Sequence, residues 1–557
     1  MFPEPSAYSL SIYRCVLVLS VILLLANAAT VSAVSAEPAV VSMGSGQVRG
    51  VKSEGVVAFK GIPFAAPPVG ELRFSAPQPA AGWQGEFAAD SFPPVCTQTR
   101  YEAGVAKTYG TEDCLYLNVY TPDSDLSEGA PVLVWIHGGG RRNGDGRRPV
   151  EDFVRETGTV VVMIQYRLDH LAFFAHPALN AAESGRFSSG NYGYLDAIAA
   201  LQWVQREIAA FGGAPQRVTI GGMSGGGTMV CGLMASPQAE GLFHGAIIQS
   251  GGSCWFPTDS WQIGERRGQQ LVNQMGCAER PQPIECMRQQ PAESFFRFPS
   301  VYNPHKPPAI SFFSAMPMLG GRSGNIVDGQ VFPRSFPDAF SNGAFHRVPV
   351  MIGVARHEGR RVYGDLLFQI GAGQMGSEDY LSALEGLLGS KAIAESAAVA
   401  YPLEGSGLSP IERFSDVATE AHYTCPHSEL AMTLSRIVPT WMYEQQVPGT
   451  KTSPNLEMGA YHGFDTELLF GGSFDGSVPD FNAEQQEAAR LFRRYVANFV
   501  HGADPNGDGL VEWKPYAGDQ AEYHLAFSAE PRLETGLRER ACRFWREQGW
   551  EVLPQLD

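Results

Sequence analysis

Several features that would place a chain in other classes of protein are missing from these 557 residues. Lysine and arginine (41) are outnumbered by aspartate and glutamate (58), so the formal net charge is −17 and a basic surface for nucleic acid is not expected. No Asn-x-Ser/Thr triplet occurs, so nothing indicates a glycosylated eukaryotic secretory protein. There is no Cys-x-x-Cys pair and no other set of cysteines with zinc-ligand spacing. The ordinary hydrophobic fraction of 44% therefore predicts a globular protein that binds neither nucleic acid nor a structural metal ion.

The one long apolar segment lies in the first 36 residues. Arg14 precedes the apolar run Cys15–Ala26, and small residues follow it. This order is typical of a secretory signal peptide, and an N-terminal membrane anchor is the alternative interpretation. The candidate cleavage points are Ala28, Ala33 and Ala36. We therefore predict a signal peptide over residues 1–36, one folded domain over residues 37–557, no stable membrane span after cleavage, and a secreted or periplasmic location.

Short apolar runs rich in β-branched residues recur along the chain, and each ends in glycine or a turn. They are residues 132–136, 159–164, 218–220, 246–248 and 350–352. Because they are apolar on both faces, we predict that they are central strands of a mostly parallel sheet. Helical patterns such as 194–210 lie between them, which indicates an α/β fold with a large sheet flanked by helices. Loops and short helices are expected over residues 281–342, and a helical block over residues 378–436.

A nucleophile motif lies between one predicted strand and the next helical pattern. The pentapeptide Gly222-Met223-Ser224-Gly225-Gly226 fits G-x-S-x-G, with strand 218–220 before it and the helical run 228–235 after it. In such a turn the serine takes a strained backbone conformation, and the glycines let strand and helix approach closely. The pattern therefore predicts a nucleophilic hydroxyl at Ser224.

A second, independent segment predicts a site for negative charge. His137 is followed by three glycines at the end of a buried strand. Backbone N–H groups that point at a developing oxyanion contribute about 10²–10³-fold each to acyl transfer. The predicted donors are the amides of Gly139, Gly140 and Gly225, and a glycine-rich turn without chemistry is the alternative.

Spacing alone does not select the acid and the base among many carboxylates and twelve histidines. In folds with this elbow the chain order is serine, acid, histidine, and the acid follows a late strand. Glu358, just beyond strand 350–352, and His462, on a glycine-flanked turn, satisfy that order.

With these segments the chain resembles the type-B carboxylesterase family, which includes cholinesterases, bacterial carboxylesterases and some lipases. The matching segments are residues 59–70, 112–119, 190–193, 211–213, 353–359 and 460–471. The resemblance implies the α/β-hydrolase fold, ester hydrolysis through an acyl-enzyme, and a catalytic triad of Ser224, Glu358 and His462. It implies a small-molecule ester as the partner, and neither a cofactor nor a catalytic metal.

The resemblance also implies a set of disulfides. The pairs carried over from the family are Cys96 with Cys114, Cys277 with Cys286, and Cys425 with Cys542. Cys231 and Cys254 remain, and we interpret them as buried thiols.

The chain departs from the family pattern around the predicted site. Met223 stands where the family usually has glutamate, Gly225 where it has alanine, and Arg141 and Arg142 where it has apolar residues. Arg356 lies in the acid segment. Further arginines nearby are Arg147, Arg148, Arg360 and Arg361. Because guanidinium groups bind carboxylates bidentately, we take Met223, Arg141, Arg142 and Arg356 as candidate substrate residues.

The hypothesis that follows is a substrate ester that carries free carboxylates, as in the fumonisin esterases of this family, which release tricarballylate. The alternative is that the arginines are solvated or paired with acidic residues such as Asp145, Glu151 and Asp152, and that the chain is a general carboxylesterase or lipase on neutral esters. A non-catalytic binding protein of the neuroligin type is the alternative of another class. Such proteins typically lose the serine, whereas this chain retains it.

Overall fold

The computed structural model describes residues 37–549, apart from residues 103–104, 125, 181–188, 253, 257, 297–324, 366–374, 454–455, 473–476 and 518–520. The chain from Pro38 onward forms one compact unit. The predicted signal peptide lies outside the described residues.

One large sheet organises the described part of the chain. The strands are β1 (Glu37–Met43), β2 (Gly46–Ser53), β3 (Val56–Pro63), β4 (Glu86–Ala88), β5 (Gln98–Glu102), β6 (Val105–Tyr109), β7 (Tyr116–Pro122), β8 (Ala130–Ile136), β9 (Val160–Ile164), β10 (Gly213–Met223), β11 (Gly245–Gln249), β12 (Asp259–Ser260), β13 (Ile326–Val327), β14 (Val350–Ala355), β15 (Thr440–Gln445), β16 (Tyr523–Phe527) and β17 (Arg532–Thr535). Thirteen of them join in the order β1-β2-β3-β7-β9-β8-β10-β11-β14-β15-β16-β17, with β4 beside β2. From β9 to β16 in that order the neighbours are parallel. Antiparallel pairs lie on either side of this block.

The central strands are buried on both faces. In β8, Val132 and Val134 belong to one apolar cluster, and Leu133 and Trp135 belong to a second cluster. Because successive strand side chains point to opposite faces, two clusters on one strand mean that both faces of the sheet are covered. This explains why the strand segments are apolar throughout, and the predicted mostly parallel sheet is confirmed.

Helices supply the covering layers. They are α1 (Glu151–Thr157), α2 (Asp169–Phe173), α3 (Pro177–Asn180), α4 (Tyr192–Glu207), α5 (Gly225–Ala235), α6 (Trp261–Gln274), α7 (Pro283–Arg288), α8 (Phe336–Ser341), α9 (Tyr380–Leu388), α10 (Lys391–Ala400), α11 (Pro410–Thr419), α12 (Cys425–Ser435), α13 (Phe464–Phe470), α14 (Ala483–Gly502) and α15 (Glu539–Glu547). A π-helix, Glu420–Thr424, joins α11 to α12. None of the helices just given has both the length and the apolar composition needed to cross a bilayer.

The helical predictions agree with these elements in position but not in bounds. The helix predicted over 194–210 is α4, which is followed by a 3-10 turn, Ile208–Phe211, and a left-handed Gly212. The block predicted over 378–436 is α9 to α12. In the region 281–342 the described residues form α7, a 3-10 turn, β13 and α8, so short helices and loops are confirmed there.

Four disulfides lie in the described residues, and one of them corrects a prediction. Cys96–Cys114, Cys277–Cys286 and Cys425–Cys542 are paired as the resemblance implied. The prediction that Cys231 and Cys254 are buried thiols is wrong, because they form a fourth disulfide with a Cα–Cα distance of 5.7 Å. Cys231 lies on α5 and Cys254 lies in the loop after β11, and these elements meet because β10 and β11 are neighbours in the sheet.

Candidate active site

Ser224 occupies the sharp turn between β10 and α5. Its backbone angles are φ 57° and ψ −122°, a region that L-residues rarely adopt. Two main-chain hydrogen bonds hold it there: its N–H donates to Gln249 O at 2.7 Å, and its carbonyl accepts from Thr228 N at 3.0 Å. The turn is therefore fixed by β11 on one side and by the first turn of the helix on the other.

The glycines of the motif are required by close packing. A Cβ added to Gly222 would lie 2.5 Å from the carbonyl carbon and oxygen of Gly226. A Cβ added to Gly226 would lie 2.1 Å from the carbonyl oxygen of Ile136 at the end of β8. Since real Cβ atoms do not approach backbone atoms so closely, only glycine lets β8, β10 and α5 meet here.

The glycine segment after β8 lies against this turn. Gly139 and Gly140 both have positive φ angles, 98° and 63°. A Cβ on Gly225 would be 2.9 Å from Gly140 N and 2.7 Å from Arg141 N. The predicted oxyanion donors Gly140 and Gly225 are thus brought together, and Gly139 directly precedes Gly140 in the chain.

His137 supports the start of that segment. Its Nδ1 lies 2.9 Å from Gly138 O, its ring stacks on the ring of Tyr166, and the Tyr166 hydroxyl donates to its carbonyl at 3.0 Å. Burial lowers the pKa of His137 to about 4, so the ring is neutral in the folded protein near pH 7. A neutral, stacked imidazole holds the segment without adding charge.

Glu358 follows β14 and is fully buried. Its Oε1 accepts from the Ser250 hydroxyl and from Ala355 N, both at 2.6 Å. Its Oε2 accepts from His462 Nδ1. Three donors on one buried carboxylate fix its orientation.

His462 lies in the loop before α13 and is 7% exposed. Its carbonyl accepts from Arg361 Nη1 at 3.1 Å, and Arg361 pairs with the buried Glu467 at 3.2 Å. The Tyr423 ring lies 5.2 Å from the imidazole. The structure therefore brings His462 and Glu358 together. The carboxylate binds Nδ1 of the imidazole, and Nε2 is the ring nitrogen that Glu358 does not contact.

The surroundings of this pair are buried and polar. Burial, together with the charge of Glu358, raises the pKa of Asp465 to about 6, although the Tyr443 hydroxyl donates to it at 2.6 Å. Burial lowers the pKa of His427, whose Nδ1 lies 2.7 Å from Tyr423 O. Both side chains interact electrostatically with the Glu358–His462 pair and were not predicted from the sequence.

The candidate substrate residues differ in their burial and in the partners that they bind. The side chain of Met223 is fully buried in the core, so it offers no surface for a substrate, and that prediction is corrected. Arg142, which lies two residues after Gly140, pairs through its Nε with Asp169 at 2.9 Å. The side chain of Arg356 is 49% exposed and lies 3.6 Å from Glu444.

Arg141 is the exception among the arginines. It is 4% exposed, its Nη1 donates to Asn325 Oδ1 at 2.5 Å, and its guanidinium lies 5.2 Å from the centre of the Phe173 ring. No carboxylate of the described residues lies within ion-pair distance of it. It is thus a buried cation without an acidic partner in the described part of the chain.

The further arginines have protein partners. Arg147 pairs with Asp145 at 2.8 Å, and Arg148 donates to Gly472 O at 2.8 Å. Arg360 donates to Glu457 O at 2.5 Å. The alternative, in which the arginines pair with acidic residues such as Asp145, is confirmed for Arg147. Arg148 and Arg360 use partners that lie far away in the sequence.

Sequence reasoning missed Ser250, which donates to Glu358. The order of the strands in the sheet explains why it lies there. Ser250 directly follows β11, and β11 lies between β10 and β14 in the sheet. Because parallel strands end at the same edge, the residue after β11 must lie between the ends of β10 and β14, which precede Ser224 and Glu358.

The comparisons with known proteins cover nearly the whole described chain. Residues 37–545 match the model of the carboxylesterase family. A cocaine esterase of Homo sapiens is 31% identical over 538 residues, which cover 91% of this chain and 89% of that protein. Carboxylesterase 1D of Rattus norvegicus is 32% identical over 557 residues, which cover 92% of this chain and 93% of that protein. A solved structure of a PNB esterase aligns with a TM-score of 0.74 and 28% identity, covering 91% of this chain and 99% of that one. The likeness therefore extends well beyond the motif segments.

Proposed function

This chain belongs to the carboxylesterase family, and from that premise we propose that Ser224, Glu358 and His462 are the catalytic triad with which it hydrolyses a carboxylic ester. The observation that carries the assignment is the hydrogen bond from His462 Nδ1 to the buried Glu358 carboxylate. A carboxylate on Nδ1 fixes the tautomer in which Nε2 is the basic nitrogen.

In the proposed mechanism His462 Nε2 takes the proton of Ser224 as Oγ attacks the ester carbonyl. The carbonyl oxygen becomes an oxyanion, which the amides of Gly139, Gly140 and Gly225 stabilise. His462 then returns the proton to the leaving alkoxide as the C–O bond breaks, and an acyl-enzyme remains. A water molecule, deprotonated by His462, then attacks the acyl carbon; the bond to Ser224 Oγ breaks, His462 returns the proton to Oγ, and the carboxylic acid is released. Glu358 orients the imidazole and stabilises the imidazolium.

A fluorophosphonate probe tests this assignment directly. Wild-type protein should be labelled at one site, and Ser224→Ala should lose both the label and esterase activity, with kcat lower by about 10⁴-fold or more. Ser236→Ala is the matched control, because its buried hydroxyl has no hydrogen-bond partner among the described residues and lies at the far end of α5. A wild-type protein that the probe does not label would favour the non-catalytic binding protein instead.

The finer proposal is that the preferred ester carries a free carboxylate. Arg141 supports it, because a buried guanidinium is costly without an acidic partner, it has none among the described residues, and a substrate carboxylate would supply a counter-ion. Arg141 directly follows Gly140, so such a carboxylate would be bound close to the oxyanion donors.

Two esters of equal size, a tricarballylate ester and a neutral one, test the finer proposal. We expect a higher kcat/KM for the tricarballylate ester, and Arg141→Gln should lower that value by about tenfold or more while changing hydrolysis of the neutral ester little. The neutral ester is the internal control for folding. A clear preference for the neutral ester would instead indicate a general carboxylesterase or lipase.

We also propose that the chain acts in an oxidising compartment, after removal of a signal peptide within residues 1–36. The four disulfides support this, because such bonds persist in secreted and periplasmic proteins. The N-terminal sequence of the exported protein tests it, and a mature protein that still begins at Met1 would favour the membrane anchor.

A further inference from the structure

The segment that carries Glu358 and the segment that carries His462 are joined by one residue, His357. Its backbone N–H donates to Ala460 O at 2.9 Å, and its side-chain Nδ1 accepts from Ala460 N at 3.1 Å. The main-chain N–H and C=O groups of Ala460 are thus both bound by His357. His357 directly precedes Glu358, and Ala460 lies two residues before His462.

The imidazole of His357 is packed tightly against the backbone that it binds. Gly459 has φ +55°, and a Cβ added there would lie 2.5 Å from His357 Nδ1. Gly459 O in turn accepts from Gly449 N at 2.9 Å. The contact between ring and backbone is therefore specific for glycine at this position and leaves the ring little freedom to move.

Because Nδ1 accepts a hydrogen bond, His357 must be neutral for this contact to form. Burial and the positive charges of Arg360, Arg538 and Arg356 lower its pKa to about 3. These arginines are themselves held in place. Arg538 donates to Arg356 O at 2.6 Å and pairs with Glu420 at 2.8 Å.

We propose that His357 is a positioning residue, which as a neutral hydrogen-bond acceptor sets the distance between the Glu358 carboxylate and the His462 ring. The inference rests on the proposed catalytic roles of those two residues. It also gives Arg356 a function inside the protein, different from the substrate contact that the sequence predicted.

Positioning matters here because the Glu358–His462 bond joins two segments more than a hundred residues apart. A misplacement of about 1 Å in a catalytic group lowers the rate by up to about 10²-fold. Loss of the Nδ1 contact leaves the backbone N–H of His357 as its one remaining hydrogen bond to Ala460, and the loosened segment lets His462 move away from Glu358.

The test compares His357→Asn, His357→Leu and His357→Gln. The amide oxygen of asparagine takes the place of Nδ1, leucine has similar bulk but no acceptor, and glutamine places its acceptor one carbon too far away. We expect kcat to fall by about 10- to 10²-fold in the leucine and glutamine variants, with KM little changed, and to stay within a few-fold of wild type in the asparagine variant.

The pH profile of kcat/KM separates positioning from a merely structural role. Because Glu358 contacts the His462 ring directly, a weakened contact should change the acid limb of this profile in the leucine and glutamine variants and leave it unchanged in the asparagine variant. His427 and Asp465, whose charges also act on this pair, are the same in all three proteins.

Two outcomes would overturn the proposal: leucine and glutamine variants with wild-type kcat, or an asparagine variant as slow as the leucine variant. Each comparison is made on protein whose thermal unfolding is measured, and the glutamine variant decides if the leucine variant does not fold. Fluorophosphonate labelling of the wild type is run alongside. Absent labelling counts against the proposed function, whereas normal labelling with an unaffected leucine variant counts against His357 alone.

Discussion

The two halves of the candidate site are built in different ways. The nucleophile half, which we define as Ser224 with Gly139, Gly140, Gly225 and Gly226, is made from main chain. Its serine is held by backbone hydrogen bonds, and Gly139, Gly225 and Gly226 leave no room for a Cβ. Here the position of every reacting group follows from the path of the backbone.

The acid–histidine half, which we define as Glu358, His462, Ser250 and His357, is made from side chains. Ser250 and His462 reach Glu358 across 108 and 104 residues of sequence. Glu358 also accepts from Ala355 N, so each contact is one of several. We therefore expect a large loss of kcat when one carbon is added to a buried glycine of the nucleophile half. Removing single contacts from the acid–histidine half should lower kcat by smaller amounts.

The largest effect is expected from Gly226→Ala in the nucleophile half. The new Cβ would lie 2.1 Å from Ile136 O and 2.7 Å from His137 O, so the end of β8 and the oxyanion segment after it must shift. We expect kcat to fall by about 10²–10³-fold, as when an oxyanion donor is lost. Gly502→Ala, where no atom lies within 4 Å, is the matched glycine-to-alanine control and should leave kcat unchanged. A Gly226→Ala enzyme with near-wild-type kcat would remove the basis for the comparison.

A smaller loss is expected from Ser250→Ala in the acid–histidine half. It removes one of three donors to Glu358, and a hydrogen bond to a charged group contributes about 1.5–3 kcal/mol. Because Ala355 N and His462 Nδ1 remain, we expect the low end of that range, about tenfold in kcat. Ser250 has φ 50°, so Ser250→Gly, which relieves the backbone, shows whether the hydroxyl or the backbone is responsible. If Ser250→Ala were as damaging as Gly226→Ala, the two halves would be equally intolerant of change.

The same contrast explains how much of the molecule could be predicted from its sequence. The elbow at Ser224 and the glycines after His137 are predictable because local residue types alone determine those backbone conformations. The parallel strands are predictable because burial on both faces leaves continuous apolar runs. The family and the fold class predicted from these segments are confirmed.

The contacts that could not be predicted depend on which strand ends become neighbours. Arg142 pairs with Asp169. Arg148 donates to the carbonyl of Gly472, which lies more than three hundred residues further along the chain. The Cys231–Cys254 disulfide was missed for the same reason, because it depends on α5 lying beside the loop after β11. The number of arginines near the site suggested a positive electrostatic potential there, whereas in the structure most of them bind separate partners.

The Cys231–Cys254 disulfide links the two halves, and its removal should have the smallest effect on catalysis. It ties the nucleophile helix α5 to the loop that follows Gln249 and Ser250. Closing a loop of this length stabilises a protein by about 3 kcal/mol, and the Cys277–Cys286 loop is comparable. We expect Cys231→Ala/Cys254→Ala and Cys277→Ala/Cys286→Ala to lower the free energy of unfolding by similar amounts, measured by urea denaturation. Only the first pair should also lower kcat, by a few-fold at a temperature where both variants are folded. Equal kcat values in the two variants would show that backbone hydrogen bonds alone hold the nucleophile half in position relative to Ser250.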